Sequence, residues 1–189
     1  ICQPPDGKSV VGEFVDGGVS PHNNPSLMAL MYATLKGYRV EWPTGPDAIL
    51  LTSVGTGTAD PEVERSSIAA QHALKALLSL MQDASTLNEM MLQWLGGGSR
   101  HRKIDSEIDT LADDSIGGGR VLTYVRYNVD LLPGPVQELV PSLKDLDDIA
   151  ELSAMDAPEK MATLHGLGVA AGKRDVQDAD FPKGFDLRA

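Results

Sequence analysis

Cysteine is almost absent: Cys2 stands alone in 189 residues, so no intrachain disulfide can form and nothing supports a disulfide-built secreted scaffold. Positive charge is scarce as well. Sixteen Lys+Arg against 27 Asp+Glu leave a formal net charge of -11, which repels nucleic-acid phosphates and provides no polybasic patch for anionic lipid. Nucleic acid is therefore not an expected partner, and a membrane surface would be met through apolar contacts. No apolar run approaches bilayer-spanning length, so the reading is a soluble chain, with the cytoplasm favoured. An initiating Met, a basic n-region and an apolar h-region are all missing ahead of Ile1-Cys2-Gln3-Pro4, and a truncated piece of a longer protein is expected. The four histidines, His22, His72, His101 and His165, are scattered with no H-E-x-x-H or Cys/His ligand spacing. Neither a metal nor another cofactor is expected.

What is present is 42% hydrophobic residues, enough for the core of one domain. The chain is organised around Val11-Gly12-Glu13-Phe14-Val15-Asp16-Gly17-Gly18-Val19. Residues 8–16 read as a strand that ends in a carboxylate, with Gly17 and Gly18 freeing the backbone to turn and hold Asp16 at a site. Asn24 is placed to cap a helix opening at Pro25, whose Leu27, Leu30, Met31, Thr34 and Leu35 share one face and which Gly37 stops. Residues 47–54 are an almost purely apolar run, the pattern of a strand buried on both faces of a parallel sheet. Strand, helix and strand at this spacing form a crossover unit and predict an α/β sandwich with helices on both faces.

Gly55-Thr56-Gly57-Thr58 closes the second strand at the carboxyl edge of the sheet, which places it beside Asp16. Further on, helices are predicted over 68–81 and 87–95, the second stopped by Gly96-Gly97-Gly98. A strand is predicted over 120–127, and polar, Ala-rich helices packing on the outside over 141–178.

The order F-x-D-G-G-V, N-N-P, S-V-G-T-G resembles the second half of the patatin-like phospholipases, and Tyr124-Val125-Arg126-Tyr127-Asn128-Val129 with Phe181-Pro182-Lys183-Gly184-Phe185-Asp186 resembles the tail of a bacterial branch. The resemblance implies a three-layer α/β/α sandwich with a mostly parallel sheet. Residues 1–189 would be the C-terminal portion of a single acyl hydrolase domain, with 1–130 in the sheet core and 131–189 a helical extension. It implies a lipid or other carboxylic ester substrate and a Ser-Asp dyad in which Asp16 is the base. Gly17, Gly18, Asn24, Gly55, Thr56 and Gly57 would form the surrounding motif and site loop.

The nucleophile of that dyad is not in the chain. Gly18-Val19-Ser20-Pro21-His22 and Gly97-Gly98-Ser99-Arg100-His101 both lack the fifth-position glycine of a nucleophile elbow. The Gly-rich oxyanion loop of the family is missing too, and Gly55-Thr56-Gly57 has neither the third glycine of a dinucleotide fingerprint nor a Walker lysine. The chain alone is therefore expected to be inactive. Two further readings stay open: a noncatalytic module in which the amides of Gly55-Thr56-Gly57-Thr58 hold an anion or lipid headgroup, and a noncatalytic interaction protein. His22 is read as a solvated loop residue, with the mouth of the site as the alternative.

Overall fold

The computed structural model describes residues 17–59, 69–154 and 157–186. The strand expected over 8–16 and its terminal Asp16 lie outside these residues. Three strands form a parallel sheet in the order β1-β3-β2: β1 is Leu50–Val54, β2 is Gly96–Gly97 and β3 is Leu122–Tyr127. Leu50 pairs with Thr123 and Val54 with Tyr127. With helices at its flanks the chain is an α/β protein, as its alternation of strand and helix predicts.

β3, in the middle, is the strand buried on both faces. Leu122, Thr123, Tyr124 and Val125 are all buried, and successive side chains on a strand point to opposite faces. The expectation that 47–54 would hold this place is corrected: β1 pairs only with β3 among the described residues, Thr52 is exposed, and Val54 at its end is 75% exposed. Among the described residues β1 is the outer strand, and its apolar side chains are only partly covered.

Helix α1, Ser26–Thr34, and helix α2, Ala69–Leu95, cover one face of the sheet. Leu30 of α1, Leu92 of α2, Ile49, Leu122 and Tyr124 form the first core, with Leu27 and Leu51 against it. Leu35, assigned to the inner face of α1, is exposed because the helix ends one residue earlier. The two helices expected over 68–81 and 87–95 are one. Nothing in Gln82-Asp83-Ala84-Ser85-Thr86 breaks a helix, since neither Gly nor Pro occurs there.

Gly96 ends α2 as expected, and the glycines then run beside β3 as β2. A Cβ on Gly98 would lie 2.3 Å from the Tyr124 carbonyl oxygen, so only glycine permits this approach.

The C-terminal helices α3 (Pro133–Leu139), α4 (Leu146–Glu151) and α5 (Met161–Asp175) are more than a polar outer layer. Leu131, Val136, Ile149, Leu152 and Leu167 form a second hydrophobic cluster of their own. Among the described residues no helix is long and apolar enough to cross a membrane.

The segment after α5 is fastened by one carboxylate. Asp180 is buried and accepts hydrogen bonds from Ser99 Oγ (2.5 Å), Arg100 Nε (2.8 Å), Tyr127 Oη (2.9 Å) and the Gln177 amide (3.1 Å). Burial works to raise its pKa, but these donors outweigh burial and hold the carboxyl down at about 2. Burial, and then the Asp180 contact, push the Tyr127 hydroxyl up to about 12.

The folded value lies below the unfolded aspartate value of about 3.9. The stabilisation is therefore present above that value and is lost as pH falls toward the folded one. Asp180→Asn is expected to lower stability at neutral pH and to flatten the acid limb between about pH 4 and pH 2, read from urea midpoints across pH. An acid limb as steep as that of the wild type would place its origin elsewhere.

Candidate functional site

Open α/β sheets hold their ligands at the carboxyl ends of the strands. Here that edge is shaped by a continuation of the β1 to β3 pairing beyond both strands. Gly55 N–H donates to the Tyr127 carbonyl (2.8 Å) and Thr58 N–H to the Val129 carbonyl (2.8 Å). Leu131 N–H donates back to Thr58 O (2.7 Å). Between these rungs Gly57 N–H donates to Asn128 Oδ1 (3.0 Å), and Asn128 Nδ2 donates to Thr58 Oγ1. The side chain of Asn128 thus stands in for a backbone rung while the loop bows outward. Gly57 has φ +108, and a Cβ there would fall 2.7 Å from Leu131 Cδ1, so both backbone and packing demand glycine.

Of the four amides in Gly55-Thr56-Gly57-Thr58, only that of Thr56 has no partner among the described residues. An anion nest needs several converging free N–H groups. Among the described residues these four amides do not form such a nest.

Opposite the loop, the residues following Asp16 fold into two short turns that pack on α2. Gly17 is exposed and does not adopt positive φ, so its expected backbone freedom is not used. Ser20 Oγ donates to Gly17 O (2.9 Å) and accepts from His22 N–H (3.2 Å). His22 is exposed, in accord with a solvated loop residue.

Asn24 is only 2% exposed. Its Nδ2 donates to Ser85 O (3.4 Å), and its carbonyl accepts from Asn88 Nδ2 (3.0 Å). The expected cap is modified: Asn24 Oδ1 reaches Ser26 N–H at 3.4 Å but the Ser26 hydroxyl at 2.7 Å, while Pro25 occupies the N-cap. Asn24 is chiefly a clamp joining α1 to α2.

From Asn24 a polar line runs through the interior. Ser26 Oγ lies 2.8 Å from Ser53 Oγ, and Arg126 Nη1 donates to Ser53 Oγ (2.6 Å). Each hydroxyl has one proton. Ser26 gives its proton to Asn24 and Ser53 gives its own to Ser26, so every lone pair met by a neighbour meets a donor. Arg126 Nε then lies 3.4 Å from Glu89 Oε2. Burial raises the pKa of Glu89 against the pull of Arg126 and Arg102. Burial also raises the Tyr124 hydroxyl to about 12.

A cavity of about 290 Å³ opens between loop, helix and strand, lined among others by Asn24, Ser26, Ser53, Thr56, Ser85 and Arg126. Asn24, Gly55, Thr56 and Gly57 come together on it, whereas Gly17 and Gly18 are not among its walls. Its walls are largely hydroxyl and amide. Compared with family models, curated proteins and solved structures, the chain matches none.

Ser26, Ser53, Asn128 and Arg126 were not legible as site residues. One signal existed: Ser85, Glu89 and Gln93 recur every four residues on α2, a polar stripe on one helix face. The serines of the two incomplete elbows have structural tasks. Ser20 ties its turn, and Ser99 is held by Asp180, whose low pKa and full set of donors make it a poor base. Among the described residues no group of three His, Cys, Asp or Glu side chains is arranged to hold a metal ion.

Gly57→Ala is expected to cost about 2 kcal/mol or more, from left-handed strain added to overlap with Leu131. Denaturant midpoints measure it, and a loss under about 0.5 kcal/mol would mean that the loop relaxes freely.

Proposed function

We propose that the chain is the C-terminal portion of a patatin-like lipid acyl hydrolase, a three-layer α/β/α esterase or phospholipase with a Ser-Asp dyad, and that Asp16 is its general base. The observation that carries the reading is the convergence of Asn24 with Gly55, Thr56 and Gly57 on one cavity at the carboxyl edge of a parallel sheet. These are the motif residues that the resemblance singles out. Gly17 directly follows Asp16 and opens the turns that pack on α2 at this edge. The polar walls suit the ester carbonyl and headgroup end of a substrate rather than its acyl chain. Tyr32, Leu35, Tyr38, Val40 and Trp42 are all exposed along one short segment, which provides apolar and amphipathic contact with a lipid interface despite the acidic net charge.

The mechanism asks of Asp16 that it accept the proton of a serine hydroxyl as that oxygen attacks the ester carbonyl. The serine belongs to a segment preceding this one in the complete enzyme. In that enzyme Asp16→Asn is expected to keep the fold and lower hydrolysis of a short-chain p-nitrophenyl ester by at least about a hundredfold, because an amide cannot accept the proton. A fluorophosphonate should label a serine upstream of Ile1. Unchanged turnover in Asp16→Asn, or labelling at Ser20 or Ser99, would overturn the assignment.

A further inference from the structure

A second cavity, of about 390 Å³, lies on the other side of Arg126, lined by Glu89, Gln93, Ser99, Arg100, His101, Arg102, Asn128 and Asp130. It too stands at the carboxyl edge of the sheet, between the ends of β2 and β3. In a chain of net charge -11, three of its arginines meet here. Arg100 is committed to Asp180; the other two are not fully used.

Arg126 has one short hydrogen bond, to Ser53, and its buried Nε faces Glu89 Oε2 at 3.4 Å, an ion pair without a hydrogen bond among the described residues. Arg102 reaches Glu89 only at 3.7 Å and Asp130 only at 3.5 Å. A guanidinium is a rigid fork of N–H donors that binds planar oxyanions best in pairs of bonds at about 2.8 Å. Glu89 and Asp130 face these guanidiniums at 3.4 to 3.7 Å, without the short paired bonds that a planar oxyanion makes.

The position of Arg102 is itself fixed. Gln93, 2% exposed, accepts from the Arg102 amide (2.9 Å) and donates to the carbonyls of Arg102 (2.8 Å) and Thr110 (3.0 Å). One buried amide thus pins the loop after β2 to α2 with Arg102 at the cavity. Burial raises the pKa of Glu89, against the pull of Arg126 and Arg102.

We infer that this second cavity is a site for a small oxyanion, a phosphate or carboxylate group, gripped between Arg102 and Arg126. It is independent of whether the first cavity hydrolyses esters. The group could arrive as a free anion or as a phospholipid headgroup, and the chemistry of recognition is the same.

Calorimetric titration with inorganic phosphate at constant ionic strength tests the site. Saturable binding is expected, weakened about tenfold or more by Arg102→Gln and unchanged by Lys144→Gln. Arg102 is partly exposed, so its replacement should leave folding intact, and far-UV circular dichroism checks that. Glu89→Gln, which removes the competing carboxylate and keeps a neutral partner, should bind phosphate at least as tightly as the wild type. Sedimentation with phosphatidylglycerol vesicles separates the sources: Arg102-dependent retention points to a headgroup, and phosphate binding without retention points to a free anion. No saturable heat up to about 20 mM phosphate, or equal affinity in wild type and Arg102→Gln, would overturn the inference.

Discussion

The pairing of β1 with β3 does not stop where the strands stop, and the carboxyl edge of the molecule depends on that continuation. Gly55, Thr58 and Leu131 take backbone rungs beyond the sheet, and Asn128 supplies the missing one with its side chain. A loop with no such rungs would lose its shape to conformational entropy at about 1 to 2 kcal/mol per ordered residue. Its closure also joins the two hydrophobic clusters. Leu131 belongs to the C-terminal cluster and packs on Gly57, while Ile49, just before β1, belongs to the sheet cluster. The glycine loop is therefore the seam between them.

The interior behind that loop is polar, which is costly unless each group is matched. Arg126, Ser53, Ser26 and Asn24 are matched in sequence, each of the first three donating to the one that follows. The chain of bonds crosses from α1 through β1 to β3, elements distant in sequence, and so specifies how they sit together more narrowly than apolar contact would. Where matching is incomplete it is at Arg126 Nε, which has only the 3.4 Å ion pair to Glu89, and at the Tyr124 hydroxyl, both buried and without a hydrogen bond among the described residues.

Periodicity and punctuation made the elements readable. Gly37, Gly55, Gly57 and Gly96 mark turns or ends, and the β-branched and aromatic run before Asn128 marks a strand. What could not be read was neighbourhood. The run at 47–54 is more apolar than β3, yet among the described strands β3 is central and β1 outermost, because strand order depends on long-range pairing that composition does not record. The polar span in the middle of α2 looked like a break for a similar reason: Gln82 and Ser85 face a cavity instead of solvent. Buried Glu89 and Gln93 look like surface residues until β3 and the loop after β2 bring Arg126 and Arg102 to them. Glycine beside an acid suggests a turn at positive φ, and Gly17 does not adopt one.

Arg126 forms part of the wall of both cavities, with one nitrogen on Ser53 and another beside Glu89. A single guanidinium cannot serve two occupants independently. A ligand that drew it toward the Glu89 side would take the donor from the Ser53 hydroxyl. By thermodynamic reciprocity, a ligand on the Ser53 side must then alter affinity on the Glu89 side by the same factor. A side chain shared between two cavities in this way would couple whatever each of them holds.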